Sequence, residues 1–530
     1  MLALIQEPCD ESIIRSRRAS APCSKHAGRW VLVATTLASS MAFIDGTVVN
    51  VALPALQTNL NATIVDVQWV IEAYSLLLSA FLLVGGSLGD HYGRRRVFLI
   101  GVALFAMAST WCGLAPNVHQ LIVARAAQGL GAALLVPGSL AIISSSFPEK
   151  ERGRAIGTWS GFSAITTAVG PVIGGWLIEH LSWRAIFFIN VPMALLIILI
   201  SLWRVPESSD TESKGLDWLG AILGALGLGA LVYGLIESSR LGFSNPSVLA
   251  ALITATALLA LFLIIESQIP NPMLPLALFR SRTFTGANLL TFLLYGALGG
   301  TLFFLPLNLI QVQRYSATAA GAAFLPFILI IFLLSRWAGG LVERYGPKIP
   351  LFIGPSIAAL GFALFMLPGL NAGYWQNFFP PVVVLGTGMA ITVAPLTTTV
   401  MNSVAQNRVG IASGVNNAVA RGAGLLAIAV LGIVMLQVFK SGLDQRLSNR
   451  NLPEAASQSL QAQSTKLAAI AVPGDHDPAT QQVIRRAIDE SFVSGFRIVM
   501  AIGAALAIAS AITAMTLITK TPRTDGIERN

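Results

Sequence analysis

The chain has 530 residues, 54% of them hydrophobic and only 11% charged, with a net charge of +9. Soluble domains carry about 25% charged residues, so this composition, with a mean hydropathy of +0.71, excludes an ordinary soluble enzyme and points to an integral membrane protein. The positive balance is no nucleic-acid footprint, because the lysines and arginines fall in short loops between apolar runs.

Residues 1–29 form a polar tail with Arg15, Arg17, Arg18, Lys25 and Arg29, read as cytoplasmic and followed by a retained first membrane helix. Apolar runs of span length then lie near 30–51, 67–89, 97–115, 120–143, 155–179, 184–203, 216–236, 247–267, 284–310, 319–341, 349–369, 377–401, 411–437 and 492–518. They predict an all-α integral membrane fold of fourteen helices, and their continuous length excludes a strand-based barrel. With the N-terminus inside, the inner loops hold Arg94–Arg96, Arg152, Arg154, Arg204, Arg280, Arg282, Arg344, Lys348 and Arg408. The outer loops 52–66, 116–119 and 370–376 hold no lysine or arginine. The positive-inside rule is met with both termini cytoplasmic.

The polar linker Pro206–Gly215 and the Pro-rich segment Pro270–Pro275 bracket the pair 216–267. The chain therefore divides into a six-helix bundle over 30–204, a linker with two extra helices over 205–283, and a second six-helix bundle over 284–518, ending in a cytoplasmic tail, 519–530. The outer segment 440–490 is too long for an ordinary loop and rich in Gln and Ser. It reads as a partly disordered loop, the alternative being a cap that docks an accessory protein. An internal repeat supports two related halves. Leu88, Asp90, His91, Tyr92, Gly93 and Arg95 are matched in order by Leu341, Glu343, Arg344, Tyr345, Gly346 and Lys348.

Charged residues inside spans are costly and carry a functional hypothesis. They are Asp45, Glu72, Arg125 and Arg421 in the first, second, fourth and thirteenth helices. At 1.5 Å per residue, Asp45, Glu72 and Arg125 fall near one level in the outer half of the membrane. In a shared cavity Arg125 favours ionised carboxylates and burial opposes them, a balance suited to loading and releasing a proton. The competing reading is a static ion pair joining helices one and four. Arg421 either faces the cavity or bonds helix-end carbonyls, and Arg497 snorkels at the outer end of the last helix. Gly157/Gly161 and Gly170/Gly174 have the spacing of close helix contact, and Pro171 bends helix five.

Other matches fail on context. Gly85–Gly89 fits a G-x-S-x-G nucleophile pattern but ends a membrane helix. No phosphate-binding G-x-x-x-x-G-K-[ST] loop is present. Cys9, Cys23 and Cys112 lack metal or disulfide spacing, so no metal and no cofactor is expected.

Together the motifs resemble the major facilitator superfamily, in particular its fourteen-helix drug:proton antiporter group. Ile44–Pro54 resembles that group's first-helix signature, Gly86–Arg96 the loop motif between helices two and three, and Arg125–Gly131 the fourth-helix motif. Gly161 through Gly175 resembles the fifth-helix antiporter motif, and Trp183-Arg184 with Phe187–Pro192 is typical of the group. The resemblance implies two bundles rocking around a central cavity, with the extra pair outside. It implies proton coupling by Asp45 and Arg125, with Glu72, and a latch of Asp90, Arg94, Gly86 and Gly93 that stabilises the outward-open state. Gly161, Gly170, Pro171, Gly174 and Gly175 then pack helix five against the other half. Glu72, Arg421, Gln128 and Asn50 are expected to line the substrate cavity. The expected activity is proton-driven export of amphipathic, cationic compounds from a bacterial plasma or inner membrane, with small molecules, protons and lipid as partners and no nucleic acid. The alternatives are an exporter or facilitator for one metabolite (a sugar, amino acid or self-made antibiotic) and a non-transporting sensor or scaffold. The sequence departs from the pattern at His91, where the family carries Lys or Arg, and at Glu343 and Pro347 in the second copy.

Overall fold

In the computed structural model, which describes residues 25–209, 217–270, 272–405, 408–448, 459–472 and 477–519, the regular elements are helical, with no strand among the described residues. The predicted tails lie largely outside these residues. The helices of the first half are α1 (Lys25–Asn59), α2 (Ile64–Tyr92), α3 (Arg94–Leu114), α4 (Val118–Ser146), α5 (Glu149–His180) and α6 (Asn190–Arg204). The inserted pair is α7 (Trp218–Leu241) and α8 (Pro246–Gln268). The second half holds α9 (Arg282–Leu307), α10 (Leu325–Gly339), α11 (Lys348–Leu364), α12 (Phe379–Asn402), α13 (Val409–Ser448) and α14 (Pro478–Leu517). Thirteen helices among the described residues are long and apolar enough to cross a membrane. The remaining expected span is α11, apolar but 17 residues long. Its rise of about 26 Å falls a little short of a hydrocarbon core about 30 Å thick.

Local signals set the helix ends. Thr63 and Asp66 form a capping box at the start of α2, Thr63 N donating to Asp66 Oδ2 at 2.8 Å and Asp66 N to Thr63 Oγ1 at 3.2 Å. Asn117, Asn245 and Ser281 cap α4, α8 and α9 with their side chains. Between α2 and α3 the chain turns at Gly93 (φ +107°), and the matching Gly346 (φ +73°) precedes α11. Both conformations favour glycine, so the sequence repeat has a backbone counterpart.

Helices α1–α6 pack among themselves, as do α9–α14. Helices α7 and α8 pair with each other, and α7 lies on α2 and α13. Only 11% of the apolar window of α8 is buried, against 61% for α9, so the inserted pair is peripheral. Close approach within the first half depends on small residues. A Cβ on Gly85 would collide with the Ala133 carbonyl of α4, and one on Gly129 with the Tyr74 carbonyl of α2.

The segment 440–490 differs from expectation. Helix α13 runs on to Ser448 and α14 begins at Pro478, while Leu460, Leu467, Ala468 and Ile470 are buried. The polar composition had hidden apolar residues at helical spacing: Leu443 and Leu447 on α13, and Ile484 and Ile488 on α14, all buried. Stretches 449–458 and 473–476 lie outside the described residues. The part that is described packs against α1, α2, α13 and α14 and covers one end of the molecule, here termed the capped end. The opposite, basic end carries Arg94–Arg96, Arg280, Arg344 and Lys348.

The Gly85 contact sets an expectation. Gly85→Ala should lower the thermal unfolding midpoint in detergent, at a cost of about 1–3 kcal/mol for the overpacked α2–α4 contact. Gly86→Ala, whose Cβ would meet only Pro137 Cβ at 3.5 Å, should leave it unchanged. Equal midpoints would refute the close approach.

Candidate functional site

Helix α1 presents Asp45 toward α4, where Arg125 and Gln128 share one face three residues apart. Arg125 Nη1 donates to Asp45 Oδ2 at 2.5 Å and to Gln128 Oε1 at 2.7 Å, and Gln128 Nε2 donates to Asp45 Oδ1 at 2.8 Å. Asn190, the first residue of α6, donates through Nδ2 to Asp45 Oδ1 at 3.2 Å and to Ser109 Oγ on α3 at 2.9 Å. Arg125 Nε donates to the Val70 carbonyl at 3.1 Å, and its guanidinium lies 4.3 Å from the centre of the Tyr74 ring. Five helices thus converge on one ion pair. Gly129 makes this possible by letting α4 press against the α2 backbone at Tyr74.

Asp45 is 0% exposed and Arg125 1%. Moving such ions out of water costs several kcal/mol each, offset only by good geometry and further hydrogen bonds. Here both carboxylate oxygens are occupied, and the guanidinium bonds through Nε and Nη1 and stacks through its face. The arrangement is stable while Asp45 is ionised. A proton on Asp45 would remove its charge and leave Arg125 with an uncompensated one.

The other predicted residues fall in different places. Gln128 is fully buried within the ion-pair network, so in this conformation it lines no open cavity. Asn50 bonds only its own helix, Nδ2 to the Gly46 carbonyl at 3.5 Å, and does not join Asp45. Glu72 is also fully buried, and neither carboxylate oxygen has a partner among the described residues. It stands one helical turn from Gln68, which donates to the Ile428 carbonyl of α13 at 2.8 Å. Arg421 lies two turns along α13 from Ile428, is partly exposed, and has no hydrogen-bond or ion-pair partner among the described residues. It is near enough to Tyr74 for an electrostatic interaction. The Gln68–Ile428 bond sets this part of α2 against α13, the helix that carries Arg421.

Asp90 pairs with Arg94 within its own bundle at 2.8 Å. The anchor of that loop is a residue the sequence reading missed: Glu207, after α6, accepts from the backbone N–H groups of Arg95 at 2.9 Å and Arg96 at 3.2 Å. It caps the start of α3 with a negative charge, and its carboxylate occupies the space where a Cβ of Gly93 would stand.

The halves bond to each other at the capped end. Gln311 Nε2 donates to Gln57 Oε1 at 2.7 Å, Lys466 Nζ to Asn61 Oδ1 at 2.6 Å, and Thr318 Oγ1 to Glu179 Oε2 at 2.6 Å. Helix α5 presses there on the turn Ala317–Ala322: a Cβ on Gly175 would strike the Ala317 carbonyl, and one on Gly321 the Pro171 carbonyl. Gly170 and Gly174 pack on Thr47 and Val48 of α1. Gly157 and Gly161 do not make the close contact their spacing suggested, since nothing lies within 4 Å of the position a Cβ would take.

The sequence profile of the Major Facilitator Superfamily matches residues 35–429. The chain belongs to the major facilitator superfamily. As a member it is a multi-pass membrane transporter and not an enzyme. It is 35% identical over 433 residues to the multidrug resistance protein Stp of Mycobacterium tuberculosis, covering 82% of this chain and 80% of Stp. It is 32% identical over 510 residues to the tetracenomycin C resistance and export protein of Streptomyces glaucescens, covering 94% of this chain and 93% of that one. Its fold is similar to that of a bacterial homologue of the human lysosomal transporter Spinster, with TM-score 0.64 at 18% identity over 94% of this chain and 99% of that one. Sequence reasoning missed Asn190, Ser109 and Tyr74 in this transporter's ion-pair shell. Asn190 sits inside the Phe187–Pro192 signature and was the one detectable from its motif.

Arg125→Gln leaves the Asp45 carboxylate buried without its counter-charge, and should destabilise the protein by about 3–5 kcal/mol. Adding Asp45→Asn should recover much of that loss, read as the thermal unfolding midpoint in detergent. Additive losses would show that the pair is not coupled.

Proposed function

We propose that the chain is a proton-coupled exporter of amphipathic drug-like compounds, working by alternating access in a bacterial plasma membrane. The observation that carries this reading is the sealed Asp45–Arg125 ion pair, in a molecule whose halves, among the described residues, hydrogen-bond to each other at the capped end. By the positive-inside rule the basic end faces the cytoplasm, which makes the described state inward-open. The units 30–204 and 284–518 rock about the seam, with 205–283 outside it. In the inward-open state Asp45 is ionised and held by Arg125, and compound enters from the cytoplasm. When the capped end parts, a proton from outside neutralises Asp45 and weakens its hold on α4, and the compound leaves. Proton release to the cytoplasm restores the pair. Asp90, Arg94, Gly86 and Gly93 form the latch at the basic end, and Pro171 and Gly175 the seal of α5 against the other half at the capped end, while Gly170 and Gly174 hold α5 on α1. The similarity to a multidrug resistance protein and to a tetracenomycin C resistance and export protein supports export of toxic compounds.

Arg421 favours a second reading of the substrate. It is the partly exposed charge on the seam, whereas Glu72 is closed off. A compound with an anionic or acceptor-rich group suits an unpaired guanidinium, while a cation requires Glu72 to become accessible.

In proteoliposomes with an imposed pH gradient, Asp45→Asn should abolish gradient-driven flux in a protein that stays folded; unchanged flux would remove Asp45 from the mechanism. With a panel of anionic, neutral and cationic compounds, Arg421→Gln should raise KM for the anionic members about tenfold or more, as expected for loss of a charge-assisted hydrogen bond. A uniform loss across the panel would point to a structural role.

A further inference from the structure

At the capped end, away from the seam, a cavity of about 350 Å³ opens between α14, the end of α13 and the loop before Tyr374, lined by Arg446, Arg486, Glu490, Ser494, Arg497 and Leu370. Three guanidinium groups face one carboxylate. Glu490 takes Arg486 at 2.8 Å and Arg446 at 3.4 Å. Arg446 otherwise donates to the Gly442 carbonyl and the hydroxyls of Ser491 and Ser494. Arg497 meets no carboxylate among the described residues and donates only to the Leu367 and Pro368 carbonyls, at 3.4 and 3.2 Å. Arginines so placed keep unused N–H donors, with an excess of two positive charges in the lining.

Depth suggests what would use them. From Ile498 to Leu517 helix α14 is largely apolar and rises about 29 Å, close to the thickness of a hydrocarbon core. Arg497 therefore stands at the boundary, and Glu490 and Arg486 lie about 10 and 16 Å beyond it. Leu367, Ile498 and Trp375, near the cavity or on the neighbouring helix end, are exposed large apolar residues suited to the membrane interface. We propose that this cavity binds a phosphate-bearing anion, a phosphodiester headgroup of the adjacent leaflet or phosphate itself, held by Arg446, Arg486 and Arg497 through charge-assisted hydrogen bonds. Occupancy by a lipid would tie α14 to the loop before α12 at the end where the halves must part.

The full-length protein in detergent is titrated separately with phosphatidylglycerol, phosphatidylcholine and sodium phosphate, reading retained lipid by native mass spectrometry and the shift in Tm. Arg497→Gln and Arg486→Gln are measured beside it; the Arg486 side chain is 76% exposed, so its replacement leaves the fold intact. Phosphatidylglycerol should bind the unaltered protein and raise its Tm, and bind each variant about tenfold more weakly. A response to phosphatidylglycerol and sodium phosphate alike supports a general phosphate site, and a response to phosphatidylglycerol alone supports a lipid site. Equal binding by all three proteins, or no preference for phosphatidylglycerol over phosphatidylcholine together with no response to phosphate, overturns the proposal.

Discussion

A carboxylate and a guanidinium removed from water at the join of five helices constrain everything around them. Either charge alone at that depth costs about 3–5 kcal/mol, and α1, α3, α4, α6 and the α2 backbone each supply a group that offsets burial of the pair. Gly129 of α4 follows from that demand: with a Cβ there the helix could not approach α2 closely enough for Arg125 to lie on Tyr74 and reach Asp45. The same tightness is what the proposed switch rests on. One proton converts a satisfied network into one with an excess charge, a change large enough to bias helix positions.

The two ends of the molecule are built differently, in a way that suits such a bias. At the capped end the halves touch through small residues and neutral or singly charged hydrogen bonds, such as Gln57 with Gln311. Neutral contacts of this kind cost less to form and break than a buried ion pair. The segment 459–472 adds to them from above, lying across α1, α2, α13 and α14. At the basic end Glu207 binds the loop before α3 to the end of its own bundle.

Much of the fold was legible because lipid imposes coarse rules. Span length, loop charge and the Gly93/Gly346 repeat each follow from backbone or solvation demands that a sequence cannot hide. The pairing of Asp45 with Arg125 was legible only as a shared depth, since helix azimuth depends on packing. Asn190 and Glu207 were missed for the same reason: one lies at a helix start, the other in a linker, and each gains its meaning from a distant partner. Glycine spacing misled at Gly157 and Gly161, where the motif is present but nothing lies within 4 Å of the position a Cβ would take. The outer segment misled through composition, because its few buried leucines and isoleucines are diluted by Gln and Ser.

The central claim is that protonation of Asp45 sets which end of the seam is closed. Spin labels at Tyr92 and Tyr345, exposed and equivalent in the repeat at the basic end, report its opening. Labels at Leu181 and Trp375 do so for the capped end. Pulsed electron-paramagnetic distances in lipid, taken across a pH series, should show the basic-end pair shortening and the capped-end pair lengthening as pH falls, with Asp45→Asn fixed in the low-pH distribution at every pH. An Asp45→Asn protein whose distances still follow pH as the unaltered protein's do would contradict the account.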